Sequence, residues 1–319
     1  MPFTLNPEVG ASLAKLFGTS PPPPPEVGDV NTRRERTAAH FGALKTLMTA
    51  IEDVETQDFH TKAEDGHEIL CRWFTRKNYK LAGSSAICYA HGGGMIALDV
   101  DFYDPLIKRY VSRSGVPFMA IDYRLAPEVK APIPVTDTYA GLQYLHVHAP
   151  ELGVNPERIA IMGDSAGGGI TASLAHYIKL KNGPAVCKQI LVYPMLDDRN
   201  TIKDGAIAPF AIWSSDDNKT GWGALLGDRI GGEDVKPFEA AARMTVADAK
   251  DLPPAYIDVG ELDIFRDEGL EYARKLGQAG VSCEFHLLPS VPHAFEVFAP
   301  DSEVARAAMD FRHKAITSF

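Results

Sequence analysis

From residue 66 onward, the apolar and polar positions of the chain switch back and forth between two periods. Short apolar or β-branched runs occur at HEILCRWFTR (67–76), SAICYAH (85–91), VPFMAID (116–122), RIAIMG (158–163), QILVYP (189–194), PAYIDV (254–259) and SCEFHLLP (282–289). Each predicts a strand. Between them lie stretches with helical spacing: DPLIKRYVSR, PVTDTYAGLQYLHVHA, SAGGGITASLAHYIKLK, RDEGLEYARKLGQAG and EVARAAMDFRHKAI. Several of the strand runs are apolar without a break, as a parallel sheet covered on both faces by helices requires. The alternation therefore predicts an α/β domain with a mostly parallel central sheet and helices on both faces.

Two regions break the rhythm. Residues 1–55 carry amphipathic helix patterns joined by a proline run, Pro21 to Pro25, whose stiff, extended backbone predicts a surface connector. Residues 198–248 scatter Phe210, Trp213, Trp222 and Phe238 among turn-forming residues, without strand patterning. Together they predict a helical cap, 1–55 and 198–248, laid over one end of an α/β core formed by 56–197 and 249–319. There is no internal repeat.

Composition narrows the partners. With 319 residues the chain can bury one large α/β domain with an insertion. Its formal net charge of −10 works against nucleic acid and anionic membrane surfaces, both of which reward a basic face. No apolar run approaches the ~18 residues of a membrane span, so no stable membrane insertion is expected. The start, MPFTLNPEVGASLAKLF, lacks a basic segment followed by a solid apolar core, so no signal peptide is expected. Cys71, Cys88, Cys187 and Cys283 form no C-x-x-C pair, and three of them fall in strand runs, where a thiol behaves as a small hydrophobe. Free thiols suit a reducing compartment, and a cytoplasmic location is expected.

The candidate chemistry centres on IAIMGDSAGGGITASLA, 159–175. GDSAGG differs by one residue from the GDSGG of trypsin-like proteases, and TAAHF (37–41) echoes their TAAHC. Context rejects that reading. Those enzymes are all-β with chain order His, Asp, Ser, whereas here a helical pattern follows the serine directly. His40 sits within RRERTAAHFGALKTLM, whose spacing is helical, and lacks the neighbouring cysteine. It is expected to belong to a cap helix without a catalytic role. Gly163-Asp164-Ser165-Ala166-Gly167 instead falls on a strand-to-helix turn, the G-x-S-x-G nucleophile elbow in its required setting. The flanking glycines allow tight packing, and the turn exposes the serine oxygen beside the positive end of a helix.

A nucleophile needs donors for the developing oxyanion. AHGGGMI, 90–96, follows the strand SAICY. Consecutive glycines let its backbone approach a substrate closely, and such a loop supplies oxyanion N–H groups alongside the residue after the nucleophile. The lysine and Ser/Thr of a phosphate-binding loop are missing.

HGGG, DYRLAPE (122–128), GDSAGG, GELDIFRDEG (260–269) and PHAF (292–295) occur in this order. The chain thereby resembles the hormone-sensitive-lipase-like family of α/β-hydrolases, over residues 70–319. The resemblance implies an α/β-hydrolase fold with a helical cap and a serine carboxylesterase using a Ser-His-Asp triad. Family order is Ser, acid, His. His293 follows the strand SCEFHLLP, whereas His146 and His148 lie at a helix end, His286 lies inside a strand, and His91 opens the oxyanion loop, which it would orient. The local acids are Asp258, Glu261, Asp263 and Asp267. Asp258 falls in the strand and Asp267 at a helix start, where capping is natural. Asp263 occupies the intervening loop and matches the family's acid position. Ser165, Asp263 and His293 are thus the expected triad, with the N–H groups of Gly93, Gly94 and Ala166 as the oxyanion hole. Arg124 and Glu128 are expected to form a structural polar network.

This machinery calls for no metal and no organic cofactor. The expected partner is a small-molecule ester with a short to medium acyl chain, and a homodimer is compatible with the sequence. Met95, where an aromatic commonly follows HGGG, together with Phe210, Trp213 and Trp222, are the candidate pocket walls. An amidase, lactonase or formamidase on the same triad is the alternative within enzymes, and a non-catalytic ligand receptor of the same fold is the alternative outside them.

Overall fold

The computed structural model describes residues 3–18, 24–47 and 50–319, so Pro21–Pro23 of the proline run lie outside the described residues. The strands are β1 (Val54–Lys62), β2 (Glu68–Arg76), β3 (Ser84–Ala90), β4 (Phe118–Ile121), β5 (Val154–Asp164), β6 (Gln189–Val192), β7 (Ala255–Gly260) and β8 (Cys283–Leu288). Among the described residues they form one eight-stranded sheet in the order β1-β2-β4-β3-β5-β6-β7-β8. The pairs β1–β2 and β2–β4 are antiparallel, and all pairs from β4 through to β8 are parallel. Every run expected to be a strand is one.

β1 was not expected. VETQDFHTK carries only Val54 and Phe59 as apolar residues, and most of its positions are exposed. It is an edge strand held by pairing with β2, from Val54↔Arg76 to Lys62↔Glu68. Its charged and polar side chains make that edge a poor template for a further strand.

The helices are α1 (Pro7–Phe17), α2 (Val30–Leu47), α3 (Val100–Ser114), α4 (Ile133–His148), α5 (Ala166–Lys181), α6 (Ser215–Leu226), α7 (Val246–Ala249), α8 (Arg266–Gln278), α9 (Phe295–Phe298) and α10 (Glu303–Thr317). α4, α5 and α8 cover one face of the sheet, and α3 with α10 cover the other. The central strands β3 to β7 are almost wholly buried, which explains their unbroken apolar runs.

The two irregular regions pack against this core. Val9 of α1 packs on Val291, Phe295, Ala305 and Ala308. α2 bridges α3 and α6. Its Arg33 is buried and donates to Asp217 of α6 at 2.8 Å and to the carbonyls of Pro25, Glu26 and Asp29. The next residue, Arg34, donates to the Ile96 carbonyl at 2.6 Å and to Glu128 through both terminal nitrogens. In the insertion, Trp222, Leu225, Val235 and Met244 join the same hydrophobic cluster as the sheet.

Candidate active site

β5 ends at Asp164 and α5 begins at Ala166, leaving Ser165 alone on the turn with φ 55° and ψ −120°. A non-glycine residue in this region is strained, and such strain persists only where its surroundings hold it. The Ser165 N–H donates to Val192 O at 2.8 Å, while its carbonyl accepts from Gly169 at 3.0 Å and Met195 at 2.9 Å. At Gly167, an added Cβ would collide with the carbonyl oxygens of Ala90 and His91, so only glycine lets α5 start this close to β3.

The turn presents Ser165 to an imidazole. Ser165 Oγ lies 2.9 Å from His293 Nε2, and His293 Nδ1 lies 2.6 Å from Asp263 Oδ2. A carboxylate can only accept, so the proton between them belongs on Nδ1, and Nε2 is left to accept from the serine hydroxyl. Asp263 is 1% exposed, and its Oδ1 accepts the Phe265 N–H at 3.0 Å. The His293 ring meets Tyr193 and Phe265 edge-on, at 4.6 and 5.1 Å. Packing and hydrogen bonds thus fix both ends of the relay.

The other acids are engaged elsewhere. Asp258 receives two hydrogen bonds from the buried Arg312, at 2.7 and 2.9 Å. Glu261 accepts the Ser290 N–H at 2.9 Å. Asp267 does not cap α8, contrary to expectation: it pairs with the adjacent Arg266 at the surface, and no side chain caps that helix. Arg124 is bound by Asp137 and Asp65, and Glu128 by Arg34.

The glycine loop faces the serine from the other side. Gly93 O accepts from Ile96 and Ala97 at 3.1 and 3.0 Å, which tightens the loop, while its own N–H and that of Gly94 find no protein acceptor among the described residues. Ala166 opens α5, where first-turn N–H groups have no intrahelical partner. His91 stabilises the loop from behind. It stacks on Tyr123 at 4.2 Å and its Nδ1 donates to Gly92 O at 2.8 Å. Burial pushes its pKa down to about 4, so the ring is neutral. Beneath the elbow, burial raises the Asp164 carboxyl to about 7, with Tyr89 Oη donating to it at 2.7 Å.

A cavity of about 130 Å³ opens at Ser165 and His293, walled by Leu98, Ile212, Trp213, Val297 and Phe298 as well as Gly93 and Gly94. Trp213 is the one of the four expected wall residues that lines it. Met95 is buried and borders a separate small void with Ile170 and Leu225, because a left-handed turn at Gly94 and Met95 (φ 64° at both) redirects the chain. Trp222 is 1% exposed and packs in the core, and Phe210 is half-buried away from the cavity lining. His40 belongs to α2 as its spacing predicts, yet with Thr37 it lines this same cavity. Its ring meets Phe17 edge-on at 4.8 Å, and desolvation, with Arg36 nearby, lowers its pKa. Nothing in the sequence pattern marks Leu98, Ile212, Val297 or Phe298, since three separate segments contribute them. Among the described residues, no group of three or more His, Cys, Asp or Glu could hold a metal ion, and no helix is long and apolar enough to cross a membrane.

A mostly parallel sheet with a serine on the turn after β5, a histidine after β8 and an acid after β7 defines an α/β-hydrolase. The family profile described as alpha/beta hydrolase fold matches residues 87–297, and the chain belongs to that family, in its hormone-sensitive-lipase-like branch. A carboxylesterase, NlhH, of Mycobacterium tuberculosis is 36% identical over 216 residues, 67% of each chain. An ethyl acetate hydrolase of Pseudomonas putida is 28% identical over 75% of this chain and 74% of its own. Among solved structures, a bacterial heroin esterase superposes with a TM-score of 0.88 at 32% identity, covering 99% of this chain and 98% of its own. The protein is a carboxylic ester hydrolase.

Proposed function

We propose that the protein hydrolyses short- to medium-chain carboxylic esters through Ser165, His293 and Asp263, by way of an acyl-enzyme. The observation that carries this reading is the hydrogen-bonded relay of 2.9 and 2.6 Å from Ser165 Oγ through His293 to Asp263, at the mouth of a cavity of about 130 Å³.

His293 Nε2 takes the hydroxyl proton as Ser165 Oγ attacks the ester carbonyl, and Asp263 holds the ring orientation and stabilises the imidazolium. The N–H groups of Gly93, Gly94 and Ala166 bind the oxyanion of the tetrahedral intermediate. One such donor contributes on the order of 3 kcal/mol to lowering the barrier. Collapse breaks the C–O bond, and His293 gives its proton to the departing alcohol. Water then attacks the acyl-serine, again losing a proton to His293, and collapse releases the acid and restores Ser165.

Cavity size supports the chain-length preference. A dry cavity of about 150 Å³ takes up a benzene-sized guest, so the space beside Ser165 suits a group of roughly six carbons or fewer. Within it, each methylene gains about 0.8 kcal/mol from apolar contact; beyond it, the chain must stay in water or push the wall aside. The test is a nitrophenyl ester series from acetyl to palmitoyl, run beside amide and lactone substrates and on Ser165→Ala. The expected outcome is a rise in kcat/KM over the first carbons, then a plateau or decline, with a loss of ~10⁴-fold or more in the variant. A monotonic rise to palmitoyl with activation at an oil–water interface refutes the preference. A folded variant keeping a tenth of wild-type kcat refutes the nucleophile.

A further inference from the structure

A hydrogen-bonded line crosses the molecule from the turn that carries Asp263 to the loop that carries Gly94, and the chemistry proposed above uses none of its members. Asn200 Nδ2 donates to the carbonyl of Ile264, the residue after Asp263, at 2.8 Å, and to Glu268 Oε2 at 2.9 Å. Glu268 Oε1 in turn accepts the Leu196 N–H at 2.6 Å. The Asn200 carbonyl accepts from Asn218 Nδ2 at 2.7 Å. Asn218 Oδ1 accepts from Trp213 Nε1 at 3.2 Å. Finally the Trp213 ring lies so close over Gly94 that a Cβ added there would fall 2.7 Å from Cζ2 and nearer still to Cη2.

Asn218 is the member that chemistry constrains most. It is fully buried, at 0% exposure. An indole N–H can only donate and a backbone carbonyl can only accept, so its amide must face Trp213 with oxygen and Asn200 with nitrogen. A carboxylate would set two oxygens against each other on the Asn200 side, and an aliphatic side chain would leave both partners unpaired. Trp213 itself is half-buried and borders the cavity, whereas Asn218 is not among the cavity-lining residues.

We propose that Asn218 is a positioning residue for ester hydrolysis: it holds Trp213 against Gly94, setting the depth of the acyl cavity and keeping the oxyanion loop in register with the Asp263 turn. A substrate senses Asn218 only through the Trp213 ring. Loosening that ring opens the cavity to longer chains, and each further methylene that finds apolar wall strengthens binding roughly fourfold. This inference rests on the proposed Ser165-dependent hydrolysis.

The readout is the ratio of kcat/KM for nitrophenyl octanoate to that for nitrophenyl butyrate, which does not depend on the fraction of enzyme that is folded. Asn218→Leu is expected to raise the ratio by about fivefold or more, corresponding to one or two newly accommodated methylenes. In a Trp213→Phe background, which lacks the indole N–H and opens the wall directly, the same substitution is expected to change the ratio by less than about twofold, as two residues acting through one contact require. If Asn218→Leu yields no folded protein, Asn218→Ser serves, because its hydroxyl cannot span both partners at once. A ratio unchanged in the wild-type background, or shifted equally in both backgrounds, with hydrolysis intact, overturns the proposal. Hydrolysis that survives Ser165→Ala overturns the triad reading beneath it.

Discussion

Replacing Asp164 by Asn is expected to stabilise the protein at neutral and alkaline pH and to do so less as the pH falls. The carboxyl is fully buried, and its pKa rises from 3.8 to about 7, chiefly through desolvation. Below 3.8 both the folded and unfolded chains hold the proton, and folding carries no penalty from this group. Between 3.8 and 7 the folded chain keeps a proton that the unfolded chain has released, so stability falls as pH rises. A shift of roughly three units corresponds to about 4 kcal/mol across that window. Asn retains an oxygen to accept the Tyr89 hydroxyl, which sits 2.7 Å from Asp164 Oδ1, and removes the ionisation. The measurement is thermal or urea unfolding of wild type and Asp164→Asn in matched buffers from pH 4 to 8. Subtracting one from the other cancels the groups common to both. The difference should move in favour of the variant by about 4 kcal/mol over this range, with most of the change below pH 7. A difference that stays flat with pH would refute the argument that burial holds a proton beneath the elbow.

Other outcomes follow from the same geometry. Arg312→Met should destabilise the fold by about 3–5 kcal/mol, because Asp258 and Glu296 lose their buried partner; a melting curve within a degree of wild type would contradict this. Gly94→Ala should lower kcat for butyrate and octanoate esters alike by displacing an oxyanion donor, with a smaller loss for octanoate because the same methyl drives against Trp213 and eases the wall. Selective loss for long chains alone would reassign Gly94 to the wall. His40→Ala should keep kcat within a few-fold of wild type while altering KM, because its ring lines the cavity but takes no part in the Ser165–His293–Asp263 relay. A severe fall in kcat of the folded variant would bring His40 into the chemistry.

Two relay residues are legible from local signals, Ser165 from a strand–turn–helix pattern and His293 from the loop after a strand, whereas Asp263 shares its loop with Glu261 and is singled out by the family resemblance. The cavity walls are not legible in this way. Their direction depends on backbone turns with left-handed φ at Met95, Leu98 and Ala294, none of them a residue type that advertises such a conformation. A hydropathy pattern reports that Met95 is apolar, but not that its side chain is carried away from the substrate side. β1 is silent in the sequence for a related reason, since its pairing with β2 does what its composition does not. His40 shows the reverse case. Its helix could be read from spacing, but the docking of α2 beside the site is fixed by Arg33 and Arg34 meeting residues far away in the chain.

That docking has a consequence for the order of events during synthesis. Arg33 and its carboxylate partner Asp217 are 184 residues apart. At ribosomal rates of about 5–20 residues per second, roughly 10–40 s separate their emergence. The segment carrying Thr37 and His40 is therefore made before the sheet and seated only after α6 exists to receive it. During that interval the guanidinium of Arg33 stays in water, without the acid that later pairs with it in the folded chain. The segment that brings Thr37 and His40 to the cavity is made before most of the walls it joins, yet it is seated only after α6.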